Sequence, residues 1–201
     1  MRTALSDESV EYLKQHGPIG ARDYGTLQVL QERGVPSYFS GCLTLTLENT
    51  STKRDDVIYA VDIDDECLKC LRTRTNSKIK VVHHSLRFLT LLDNDQRLRY
   101  AETLLEKYSR AKAVITTRLH AAMPCLGLKT PVLLITDKND KRFSGLRELV
   151  RWCEKKQFLS GQYDFDFDEP TENPTTYLPI REKLIETVTN WISKNEGSYD
   201  E

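Results

Sequence analysis

No apolar run in the chain reaches the roughly 18 residues that a transmembrane helix needs, so no membrane span is expected. Residues 1–8 carry no hydrophobic stretch of the kind that opens a secretory leader, and the expected location is the cytoplasm. An excess of either charge is also lacking: 29 Lys and Arg stand against 30 Asp and Glu, for a formal net charge of −1. That balance removes the electrostatic reason to expect nucleic acid or an anionic surface as partner. Any anionic ligand must be held by a local cluster of basic groups. Cysteine is sparse and scattered, at positions 42, 67, 70, 125 and 153, an odd number that does not suit a disulfide framework. Cys67 and Cys70 form a CxxC without a second ligand pair or a thioredoxin-like context, so a metal or redox site is the poorer reading, and Cys67, Leu68 and Leu71 read as the apolar side of a short helix. There is no GxGxxG, P-loop lysine, HExxH or GxSxG, which tells against nucleotide, zinc and serine hydrolysis. Nothing in the sequence demands a metal or a cofactor.

What is present is an alternation of helix and strand signals. Hydrophobic residues make up 39% of the 201 and charged residues 29%, enough for a packed core and for one large α/β domain with a helical tail. Residues 7–16 read as a helix started by Ser6 or Asp7 and stopped at Gly17-Pro18. Asp23 is a natural cap for a helix through Arg33, with Leu27 and Leu30 buried. Residues 35–39 read as a short strand. Residues 42–47 alternate as a strand would, but Gly41 signals a turn, and both readings stay open. Strands are expected at 57–61, 79–83, 113–115 and 131–135. Helices are expected at 64–72, at 93–110 with Leu98, Ala101, Leu105 and Tyr108 on its inner face, near Arg118, and at 143–152. This order predicts a Rossmann-like α/β fold, a parallel sheet with helices on both faces. The α/β domain is expected over residues 1–163 and an acidic, solvated connector over 164–179, which lacks the central Gly of a calcium loop. A C-terminal helix over 180–194 carries Ile180, Leu184, Val188 and Trp191 as a packing stripe, and 195–201 is expected as a flexible tail.

The chemistry concentrates where strands run out. In Ala113-Val114-Ile115-Thr116-Thr117-Arg118-Leu119-His120 a buried strand passes into a helix start, with Thr117 as the expected cap. Ligands of open parallel sheets sit at the carboxyl ends of strands, and a helix N-terminus there offers unbonded N–H groups and partial positive charge. Arg118 and His120 would oppose that dipole at a cost of about 0.3–1 kcal/mol each, a sign that an anionic ligand reverses. Arg118 can grip a carboxylate or phosphate in bidentate fashion, and His120 can move a proton near neutral pH. Arg22, beside Gly20 and ahead of another helix start, is a second guanidinium suited to an anion. His83-His84 closes the strand at 79–83, with Arg87 following; alternation points one imidazole inward and the other outward. Pro124, inside the helix after Arg118, implies that this helix is short or kinked.

Taken together, Pro18-Ile19-Gly20-Ala21-Arg22-Asp23, the run from Tyr38 to Leu47, Val114-Ile115-Thr116-Thr117-Arg118-Leu119-His120, Pro124-Cys125-Leu126 and Thr130-Pro131-Val132 resemble the polysaccharide pyruvyltransferase family in order and spacing over roughly residues 10–135. Arg-Leu-His after a buried strand is the most specific piece. The resemblance implies the C-terminal half of a GT-B-type fold, and transfer of the enolpyruvyl unit of phosphoenolpyruvate onto sugar hydroxyls as a pyruvate ketal with release of phosphate. Carried over by motif, Arg22, Arg118, Leu119 and His120 bind phosphoenolpyruvate, with Thr117 and His84 beside them; His120 and Arg118 are the expected catalytic pair. The partners implied are phosphoenolpyruvate and a sugar or oligosaccharide acceptor. The family's N-terminal domain is not matched, so self-association or a partner domain is a further expectation. Two alternatives are a glycosyltransferase half-domain binding a nucleotide sugar and a non-catalytic binding domain.

Overall fold

Val57–Val61 and Val132–Ile135 are continuous apolar runs, the pattern of strands covered on both faces. The computed structural model describes residues 5–49, 53–84, 90–137 and 143–195, and places both runs in the middle of one sheet. Its strands are β3 (Val57–Val61), β4 (Lys78–Val82), β5 (Ala113–Thr116), β6 (Val132–Ile135) and β7 (Arg151–Cys153), in the order β4-β3-β5-β6-β7, all parallel. Ahead of it, β1 (Ile19–Ala21) and β2 (Ser37–Phe39) form a separate parallel pair. The helices are α1 (Asp7–Gln15), α2 (Tyr24–Glu32), α3 (Asp65–Arg72), α4 (Asn94–Arg110), α5 (Leu119–Gly127), α6 (Lys155–Ser160) and α7 (Leu178–Asn195). The Rossmann-like arrangement expected from the sequence is the one found.

Strand alternation sorts the core into two layers. Tyr59, Val61, Val114, Val132 and Leu134 turn to one face, where Ala122, Met123 and Leu126 of α5 and Tyr108 of α4 cover them. Ile58, Ala60, Ile115, Leu133 and Ile135 turn to the other, against Cys67, Leu68 and Leu71 of α3 and Phe158 of α6. A third, smaller cluster of Val10, Ala21, Leu30 and Val35 joins α1 and α2 to the β1–β2 pair. Capping follows the sequence: Ser6, Asp23, Asp64 and Asp93 each accept the third following N–H. The edge strand β4 exposes Lys78 and Lys80, charges that discourage pairing with another sheet.

Several expectations change. Residues 143–152 are not a helix: turns, a 3₁₀ helix at Arg147–Leu149 and then strand β7 replace it. Phe143, Leu146 and Leu149 are spaced three apart, which a 3₁₀ turn buries as well as an α-helix does. The two readings left open for Cys42 to Leu47 resolve against a strand: a 3₁₀ helix at Leu43–Thr46 buries Cys42 and Leu45. It lies so close to α5 that a Cβ on Gly127 would come within 2.8 Å of the Thr44 carbonyl. Leu98 stands 62% exposed, so the inner face of α4 starts only near Leu104 and Leu105. Of the stripe on α7, Ile180 joins the core while Val188 and Trp191 are exposed. The acidic stretch after residue 163 buries Phe165 and Phe167 against the sheet instead of standing in solvent. Arg87 and residues 196–201 lie outside the described residues.

Candidate anion site at the carboxyl edge of the sheet

Strand carboxyl ends deliver the side chains of one cleft of about 380 Å³. Arg22 follows β1, His84 lies just past β4, Thr117, Arg118, Leu119 and His120 carry β5 into α5, and Phe143 comes after β6. All six site residues expected from the sequence, Arg22, His84, Thr117, Arg118, Leu119 and His120, therefore line the same wall. Phe143 was not foreseen.

The start of α5 differs from expectation by one residue. Thr117 does not cap it. Arg118 holds the N-cap position with extended backbone and no side-chain cap bond, and Leu119 is the first helical residue. The reason is that both threonines are engaged: Thr116 Oγ1 accepts the Arg118 N–H at 2.9 Å, and Thr117 Oγ1 donates to the Asp62 carbonyl at 2.7 Å. The Ala121 and Ala122 N–H groups both return to the Arg118 carbonyl. Those of Leu119 and His120 come before the first intrahelical bond, the usual orphans of a helix start. α5 is short, as Pro124 implied, at nine residues with the proline inside it.

Across the cleft, Arg22 Nη1 lies 2.8 Å from His120 Nε2. A guanidinium can only donate, so Nε2 is the acceptor and the imidazole proton is assigned to Nδ1. Burial, and then the Arg22 charge, hold His120 below the ordinary imidazole pKa. His84 is lowered as well, chiefly by burial, with Asp62 opposing and Arg118 and His120 adding to the effect. Its Nε2 sits 2.6 Å from the hydroxyl of Tyr108, whose own pKa burial raises, so the phenol stays the donor. The cleft thus holds two guanidiniums and two imidazoles that resist charge.

Sequence reasoning missed Asp62. It follows β3, its backbone φ is +51°, and its side chain is only 8% exposed. It accepts Arg118 Nε at 2.8 Å, faces His83 Nδ1 at 3.4 Å, and takes the His84 N–H on both oxygens at 3.3 Å. The available signal was an aspartate directly after a buried apolar strand. His83 itself is the outward imidazole of its pair, 57% exposed, and His84 the half-buried one.

Among the described residues no cluster of His, Cys, Asp and Glu could hold a metal ion, and Cys67 is a buried thiol whose pKa desolvation pushes up to about 12. No described helix is long and apolar enough to cross a membrane. No curated protein and no solved structure matches the chain. The family model for polysaccharide pyruvyl transferase, however, matches residues 3–139, a span that holds the cleft's arginines and histidines. The chain belongs to the polysaccharide pyruvyl transferase family.

Proposed function

We propose that the cleft binds phosphoenolpyruvate and that the protein transfers its pyruvyl unit to a pair of sugar hydroxyls as a ketal, releasing phosphate. The observation that carries this reading is the convergence of Arg22, Arg118 and His120 on the N-terminus of α5. Phosphoenolpyruvate bears a carboxylate and a phosphate, and two guanidiniums beside a helix start suit two anionic groups. When an anion draws Arg22 away from His120 Nε2, the ring loses its nearest cation and gains a counter-charge. Its pKa rises and it takes up a proton. The protonated ring then gives that proton to the methylene carbon, which becomes the methyl group. Positive charge develops at the central carbon, one acceptor hydroxyl adds there, and the bond from that carbon to the phosphate oxygen breaks. A second hydroxyl closes the ketal. Of the two hydroxyl protons, one replaces that given by His120 and the other leaves with phosphate. Phe143 and Leu119 supply the apolar wall for the methylene end. No cofactor enters the scheme. The reading places the reaction in the cytoplasm and keeps the GT-B-like architecture of the resemblance.

The test is calorimetric titration and thermal denaturation with phosphoenolpyruvate, inorganic phosphate and a UDP-sugar. Phosphoenolpyruvate should stabilise the protein by about 2.7 kcal/mol at one hundred times its Kd. Arg118→Ala should weaken binding roughly ten- to hundredfold, the worth of a charge-assisted bidentate contact, and Arg118→Lys should not fully restore it. Stabilisation by the UDP-sugar alone would replace this reading with the nucleotide-sugar one.

A further inference from the structure

We infer that Asp62 is a positioning residue: its carboxylate fixes the Arg118 guanidinium and ties the loops after β3, β4 and β5 into one rim, and anion affinity depends on it although it carries the ligand's own sign. This rests on the cleft being an anion site, as proposed above. Asp62 touches each of the three strand ends. Its own N–H donates to the Val82 carbonyl at 3.0 Å, its carbonyl accepts from Thr117 Oγ1 at 2.7 Å, and its carboxylate accepts from Arg118 Nε and the His84 N–H. A left-handed φ in a non-glycine residue costs energy, and such strain persists only where the surroundings over-determine it. Here five polar contacts hold it, counting His83 Nδ1 at 3.4 Å. A carboxylate this buried is costly unless it is paired, and Arg118 pairs it, with His83 Nδ1 alongside at 3.4 Å. With Nε held by Asp62, the guanidinium is fixed in position in the cleft that Arg118 lines. An arginine held in this way gives up less rotamer freedom when an anion arrives.

The sign of the effect separates positioning from plain charge. By charge alone, Asp62→Asn removes repulsion and should tighten binding of an anion. By positioning it should weaken it, because an amide offers one acceptor oxygen and turns N–H donors toward the N–H of Arg118 or His84. Asn tolerates the left-handed backbone, so the fold should survive. Titrating phosphoenolpyruvate and inorganic phosphate into wild type, Asp62→Asn, Arg118→Ala and the double variant should show about a tenfold loss for Asp62→Asn that nearly vanishes in the Arg118→Ala background. Equal or tighter binding by Asp62→Asn, or a loss that stays additive in the double variant, would overturn the inference. Should wild type bind neither anion, the functional reading falls. The Asp62 role is then decided by the Arg118 Nε–H signal in NMR, which should be protected from exchange in wild type and lose that protection in Asp62→Asn. An unchanged signal refutes it.

Discussion

The two ends of the five-stranded sheet treat charge differently. At the amino ends, Lys112, Asp168 and Arg54 each close a network. Lys112 donates to Asp56 and Ser77 just ahead of β5, β3 and β4, and this pairing holds Asp56 below the usual carboxylate range. Asp168 reaches across to Thr75, Ser77 and the Asn76 N–H, and the Thr75 hydroxyl bond lowers its pKa in the same way. Arg54 spreads its two terminal nitrogens over the Ser109, Leu128 and Lys129 carbonyls and the Thr130 hydroxyl. At the carboxyl edge Asp62 pairs with Arg118, while Arg22 donates to the imidazole of His120 and comes only within 3.7 Å of the Asp23 carboxylate, and His84 and His120 sit where protonation is disfavoured. One end is organised for stability. The other, on the function proposed above, holds positive charge and proton-accepting capacity for an anion.

That contrast breaks most sharply by exchanging arginines. Arg22→Ala should lower phosphoenolpyruvate affinity roughly ten- to hundredfold in a calorimetric titration, with little change in the urea midpoint, because the side chain is 42% exposed and its contacts are the His120 ring and a 3.7 Å approach to Asp23. Arg54→Ala should do the reverse. It abandons charge-assisted bonds to three carbonyls and a hydroxyl, and should cost about 1.5 kcal/mol of folding stability by urea denaturation while leaving affinity unchanged. Loss of affinity in Arg54→Ala would mean that the two ends are coupled and the contrast is false. The smallest effect sharpens it through pH. The folded-state pKa values of His84 and His120 lie below the ordinary imidazole value of about 6.5, so the unfolded chain binds more protons as pH falls through that value. Without ligand, stability should therefore decline from about pH 8 toward pH 5, and level off once both rings are charged in the folded protein. With phosphoenolpyruvate bound the decline should shrink, and binding should draw protons from solution, seen as a binding enthalpy that varies with the ionisation enthalpy of the buffer. Proton release instead would show that the imidazoles do not face the anion.

How much of this was legible in the sequence depended on length and burial. β3, β5 and β6 are buried on both faces, so each reads as an unbroken apolar run, and Asp64 and Asp93 announce the helices they cap. β1 and β7 have three residues each, too few to show a period of two, and the first includes Gly20. The residues from 143 to 152 mislead because a spacing of three suits both kinds of helix. In Asp164-Phe165-Asp166-Phe167-Asp168 the alternation of a half-buried segment was present, but the density of charge suggested solvent. The cleft was legible because strand ends in a parallel sheet gather at one edge, so motifs far apart in the chain meet there. Asp62 was not: its place after a buried strand was visible, but its left-handed backbone and the partners it holds across the sheet are set by tertiary contacts.

The last third of the chain behaves as a fastener. The family match ends at residue 139, yet β7 borders β6, Phe158, Phe165 and Phe167 close one face of the sheet, and Tyr177 and Ile180 close the other. Asn173 stitches the strap to β6 by accepting the Val132 N–H and donating to the Thr130 carbonyl. A boundary drawn where the recognisable sequence stops would leave β6 as a raw edge with apolar surface on both sides. The stretch outside the family match therefore covers both faces and the edge of the recognisable part, and a chain cut at residue 139 should lose stability as well as length.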